Sequence, residues 1–158
     1  MPLLSDSDRE ALEQRFQQSL NEDVTLKLFT QSAARSLLTL PGQSDSGASE
    51  LMRATEELLK DLAGTSDKLK LEIFDVHGDG ADQAERLQIE RIPAIVIGDD
   101  PEGRVRFYGA PVGNEFPTVL AGIEAQSTGE PMLSEQVADA AKNRINDAVH
   151  LRVFVTPT

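Results

Sequence analysis

The sequence predicts an α/β fold, a small mixed sheet with helices on both faces. Three observations predict it. Segments of period two alternate with segments whose apolar residues recur every three or four positions, in the order β-α-β-α-β-β-α over about Val24 to Ile123. Pro93-Ala94-Ile95-Val96-Ile97 is apolar throughout, as a strand covered on both faces requires. The turn Asp99-Asp100-Pro101-Glu102-Gly103 is short enough to make its flanking strands an antiparallel hairpin, so the sheet must be mixed.

The elements follow in order. Ser5 to Leu20 reads as a helix capped by Ser5 or Asp6, with Leu12, Phe16 and Leu20 in phase and acids in its first turn. Val24, Leu26 and Leu28 alternate with Thr25 and Lys27 in a strand that ends at Phe29. Gln31 to Ala48 reads as a long, mostly irregular connection, within which Leu37 to Leu40 are apolar enough to pack locally. Leu51, Thr55, Leu58, Leu59 and Leu62 form the stripe of a second helix that Gly64 can end. A second strand runs from Leu69 to Val76, and a short helix covers Ala81 to Leu87. After the hairpin, in which Val105, Phe107 and Gly109 belong to the partner strand, Phe116, Val119, Leu120 and Ile123 mark another helix.

The tail repeats the beginning. At a separation of 125 residues, Leu12, Phe16 and Leu20 fall on Val137, Ala141 and Ile145, and Asn21-Glu22 on Asn146-Asp147. The strand Val24 to Phe29 falls on Val149 to Phe154, with Lys27 matched by Arg152. Helix then strand in one phase, twice, is what tandem duplication leaves. The expected organisation is therefore a domain over 1–126 (helix 5–20, core 24–124), then 127–158 as linker, helix and first strand of an incomplete second unit. Such a lone strand, Leu151 to Val155, must join a sheet, pair with another chain or fray.

Composition narrows the chemistry. Fifteen Lys and Arg against 27 Asp and Glu give a net charge of −12, which argues against a nucleic-acid partner, because counterion release needs clustered cations. No apolar run is long enough to span a bilayer, and the N-terminus lacks the apolar region of a secretory signal, so a cytoplasmic protein away from membranes is expected. There is no cysteine. That removes thiol nucleophiles, disulfides, zinc–thiolate sites and iron–sulfur clusters together.

Three motifs suggest chemistry and fail on inspection. Gly42 to Gly47 has phosphate-loop spacing, but Ala48 stands where the lysine belongs and Asp45 would face the phosphates. Asp75-Val-His77-Gly-Asp79-Gly80 opens like a calcium loop, yet Arg86 occupies the position of the bidentate glutamate. A turn with Asp79 or Asp82 capping the next helix accounts for these residues, and leaves His77 an ordinary surface or cap residue. Ser44, Ser46 and Ser49 have no histidine base placed for them. No catalytic residue, cofactor or metal is expected.

Certain segments carry a resemblance. They are Thr65-Ser66-Asp67-Lys68-Leu69, Arg91-Ile92-Pro93-Ala94, and Val105-Arg106-Phe107-Tyr108-Gly109-Ala110-Pro111-Val112-Gly113-Asn114-Glu115-Phe116, the last holding an unusual Gly-x-Pro-x-Gly-x-Glu-Phe pattern. The chain resembles thioredoxin-fold proteins of two fused units: the glutaredoxin-like protein disulfide oxidoreductases and the N-terminal domain of the alkyl hydroperoxide reductase flavoprotein subunit. Phe154-Val155-Thr156-Pro157-Thr158 resembles the strand that leads into the second unit's Cys-x-x-Cys.

The resemblance implies dithiol–disulfide exchange, in which a thiolate attacks a disulfide sulfur. Counted back from Lys68, the first unit's two cysteine positions fall on Ser49 and Met52, and neither forms a mixed disulfide. A cysteine-free first unit matches the reductase domain and departs from the disulfide oxidoreductases; the long connection 31–48 departs from both. Pro93 is implied to be cis, turning the backbone of Ile92 toward an extended substrate segment. The expected role is a redox-inactive scaffold or docking unit in redox homeostasis, with a protein partner or a second thioredoxin-like unit. The alternatives are an N-terminal electron-delivery domain related to the reductase flavoprotein subunit, and a free-standing protein-binding module that dimerises through its terminal strand.

Overall fold

Strand β1, Val24–Thr30, is the axis of the molecule, and six of its seven residues are buried. A computed structural model describes residues 3–31, 46–130 and 133–155. Helix α1 (Asp6–Ser19) precedes β1, and α2 (Ser46–Ala63), β2 (Leu69–Asp75), α3 (Ala81–Arg86), β3 (Ala94–Ile97) and β4 (Arg106–Tyr108) follow it. A 3₁₀ turn, Gly113–Glu115, then leads into α4 (Phe116–Thr128), and α5 (Glu135–Arg144) comes last. The sheet order is β2-β1-β3-β4; β1 pairs parallel with β2 and antiparallel with β3, and β3 pairs antiparallel with β4. The mixed sheet and the hairpin are as the sequence predicts.

Two apolar layers cover the sheet. On one face Leu26, Leu28, Ile95 and Ile97 pack against Leu12 and Phe16 of α1, Leu59 and Leu62 of α2, and Val119, Leu120 and Ile123 of α4. On the other, Phe29, Ala94 and Val96 meet Ala84 and Leu87 around α3. Alternation explains the split, since successive side chains of β3 point to opposite faces and both are buried. Ser5 caps α1, its Oγ accepting from the Asp8 N–H at 3.2 Å. At the other end of α1, the Lys68 Nζ donates to the carbonyls of Leu20 and Asn21 at 2.7 and 3.0 Å.

Several expectations need correction. Helix α2 begins at Ser46, two residues before the expected end of the loop at Ala48; Ala48 and Ser49 are half-buried, so packing favours helix there. Leu37 to Leu40 and most of the Gly42–Gly47 motif lie outside the described residues. Neither Asp79 nor Asp82 caps α3, because its N-cap is Gly80 with no side-chain cap bond. The expected strand Leu151 to Val155 is not formed, and its residues pair with no ladder and lie exposed. The cause is physical: an isolated strand satisfies neither its backbone groups nor its apolar face. Thr156 to Thr158 lie outside the described residues. Among those described, no helix is long and apolar enough to cross a membrane.

Candidate functional site

The chemistry-bearing positions of the sequence gather toward one end of the sheet. Because β1 is parallel to β2 and antiparallel to β3, Thr30, Asp75 and Ala94 share that end, and Phe29 is paired with both Phe74 and Ala94. The Phe29 and Phe74 rings stack with centroids 5.1 Å apart. The Ile92–Pro93 peptide bond is cis. The ladder starts at Ala94, which leaves Ile92 just outside it, half-buried against the α3 layer, while Pro93 is buried and its carbonyl accepts from the Gly109 N–H at 2.9 Å.

Beside Ile92 a concavity of about 520 Å³ opens between the end of β2, α3 and residues 88–92. Val76, Ala84, Ile89 and Ile92 give it an apolar lining, and the exposed Glu85 and Glu90 contribute carboxylates. The turn from β2 to α3 shapes one wall. There the Asp75 carbonyl accepts from the N–H groups of both Gly78 and Gly80 at 2.9 Å, and the Asp79 Oδ1 accepts from the Asp75 N–H at 3.2 Å. Asp79 thus closes the turn back onto the strand instead of capping the helix. The His77 N–H donates to the Asp75 Oδ1 at 2.9 Å, so these carboxylates serve the loop's own backbone. Among the described residues, no three His, Cys, Asp or Glu side chains form a metal-ligand set.

Ser49 and Met52 lie one turn apart near the start of α2, both half-buried. Helix α2 is held chiefly by β2 and α1. Thr55, fully buried one turn on, returns its Oγ1 to the Leu51 carbonyl at 2.8 Å. A hydroxyl and a thioether at these positions support neither thiolate attack nor a mixed disulfide.

One contact at this site has no signal in the sequence. Arg152, in the exposed segment after α5, donates to both carboxylate oxygens of Glu90 at 2.8 and 3.3 Å, across 62 residues of chain. Sequence reading places Arg152 only as the counterpart of Lys27, and nothing in spacing joins it to the turn before β3.

No protein-family model and no curated protein matches this sequence. Solved structures do match. A protein disulfide oxidoreductase from Aeropyrum pernix superimposes with a TM-score of 0.64 at 20% identity, over 87% of this chain and 54% of its own. The fold is thioredoxin-like. The alkylhydroperoxide reductase AhpF of Enterococcus faecalis matches with a TM-score of 0.61 at 21% identity, over 86% of this chain and 58% of its own. The N-terminal domain of the same reductase gives 0.61 at 22% identity, again over 86% and 58%. The chain thus spans a little over half the length of these structures. At such identities the likeness is one of fold, and in this thioredoxin-like fold Pro93 stands at the entry to the third strand.

Proposed function

We propose that this chain is a redox-silent thioredoxin-like unit, which docks a protein partner at the sheet end carrying Ile92 and Pro93 while another unit performs any dithiol–disulfide exchange. One observation carries the reading. The places that resemblance gives to the two exchanging cysteines hold Ser49 and Met52, in a chain with no cysteine at all, yet the apolar concavity beside Ile92 is open. Exchange needs a thiolate and a second sulfur, so binding is the one part of that chemistry these residues support. An extended segment seated beside Ile92 would meet backbone that lies just outside the ladder, which starts only at Ala94. A cytoplasmic location belongs to the same reading.

The tail supports it too. Leu12, Leu20, Val24, Leu26, Leu28 and Phe29 are all buried, whereas Val137, Ile145, Val149, Leu151, Val153 and Phe154, their counterparts in the repeat, are 51–85% exposed. Residues 133–155 are therefore read as the opening of a second unit of the same fold. A second reading, supported by the likeness in fold to the reductase's N-terminal domain, makes the chain part of a larger protein that delivers electrons to a peroxidase through another unit.

The test is a titration of isotope-labelled protein with extended apolar peptides, followed by amide chemical shifts. Shifts confined to Ile89, Glu90, Arg91 and Ile92, together with zero turnover in an insulin-reduction assay, are expected. Measurable turnover, or no peptide-induced shift at these residues, overturns the proposal.

A further inference from the structure

From the geometry we infer that Glu90 is a specificity-determining position, which makes the groove beside Ile92 select an extended apolar segment carrying an arginine, and that the chain's own Arg152 competes for it. The inference rests on the docking role proposed for that groove. The protein itself supplies the pairing, because the Arg152 guanidinium meets both oxygens of Glu90, a two-pronged geometry that a lysine does not reproduce. The groups on either side of the pair have the right character. Leu151, Val153 and Phe154, which flank Arg152, are 80–85% exposed in a segment with no ladder of its own, and the groove beneath Glu90 is lined by Val76, Ala84, Ile89 and Ile92.

Charge favours the same occupant. Two exposed carboxylates, Glu85 and Glu90, line the groove against the single guanidinium of Arg91, on a chain of net charge −12. A cationic side chain entering there is attracted, and an acidic one is repelled. The pair is half-exposed, at 54% for the Arg152 side chain and 51% for Glu90, so it sets preference and contributes little to overall affinity. For the same reason Arg152 holds the position only part of the time and yields it to a partner.

The experiment uses the full chain with Arg152→Ala, which vacates Glu90, and a fluorescent peptide with the sequence of residues 148–155. A second peptide carries alanine in place of the arginine. The arginine peptide is expected to bind roughly two- to fivefold tighter, the range open to an exposed pair. The difference should vanish in a protein that also carries Glu90→Gln and shrink at about 0.5 M salt. The unmodified chain should bind the arginine peptide more weakly than the Arg152→Ala protein. Equal affinity for the two peptides, with amide shifts still at Ile92, overturns the role of Glu90 and leaves the docking groove standing. Failure of both peptides to bind, or shifts elsewhere on the surface, overturns the groove as well.

Discussion

The hydroxyl of Ser127 brackets Glu22: its Oγ accepts from the Glu22 N–H at 3.0 Å and donates to the Glu22 carbonyl at 2.6 Å. The same oxygen accepts from the Asn21 N–H at 2.9 Å, and Ser127 is only 1% exposed. One side chain thus ties the end of α4 to the link between α1 and β1. Ser127→Ala removes all three hydrogen bonds of this buried hydroxyl, so a loss of about 1–3 kcal/mol is expected in urea denaturation. A loss below about 0.5 kcal/mol, typical of a surface change, would contradict this account.

Two glycines should respond in opposite directions. A Cβ on Gly80 would meet the Phe74 Cβ at 2.5 Å and the Asp75 carbonyl at 3.0 Å, in the turn between β2 and α3. Gly80→Ala is expected to cost on the order of 1–3 kcal/mol through overpacking. Gly47, near the start of α2, has nothing within 4 Å of the same added atom, so Gly47→Ala should stabilise by up to about 1 kcal/mol. Thermal melts of the two variants compare them directly, and equal shifts would refute the packing argument.

Acid should loosen the clamp between α1 and α4. The Arg15 guanidinium donates to both oxygens of Glu124 at 2.6 and 2.8 Å, with the Ser19 hydroxyl adding a third bond at 3.0 Å. These bonds, that of Arg15 foremost, hold the Glu124 carboxyl below its ordinary range. A lowered folded-state value means the stabilisation is complete above the unfolded value of about 4.3, and is lost as pH falls through the folded one. Glu124→Gln should flatten that acid limb in stability curves measured from neutral pH downward. An unchanged limb would assign it to other groups.

Placing cysteines at Ser49 and Met52 tests the correspondence that resemblance gives these two positions. Ser49 and Met52 are one helical turn apart, within the spacing that a disulfide spans. A protein carrying Ser49→Cys and Met52→Cys should lose two hydrogens by mass on mild oxidation and regain them with dithiothreitol. If the pair stays reduced in the folded protein, the correspondence of these residues to the exchanging cysteines fails.

Ending the chain at Ala148 should leave the melting curve within about 0.5 kcal/mol of the parent, since Val149, Leu151, Val153, Phe154 and Val155 are 59–85% exposed. A larger drop would mean that the segment is packed in solution.

The core was legible wherever periodicity and burial coincide. Leu12 with Phe16, the alternation in β1, and the continuous run of β3 all report contacts made within one domain. Chain ends and turns were less legible. Leu151 to Val155 has every local feature of a strand, but pairing is a property of two strands, and the sequence of one cannot supply its neighbour. Asp79 illustrates the turn: its carboxylate had two backbone targets in reach, and the N–H of Asp75 won over that of α3. At the candidate site Ile92 and Pro93 were readable from resemblance. The Glu90–Arg152 contact was not, because a pair of surface charges 62 residues apart leaves no periodic trace.

The unpaired segment also bears on handling. From Val149 to Val155 it is strand-forming and free of proline, and Arg152 with His150 supplies its only polar interruptions. Identical copies in concentrated solution would add to one another edge to edge, and Arg152 is the gatekeeper against such stacking, because like charges in register repel. Neutralising it should lower the concentration at which fibrils nucleate.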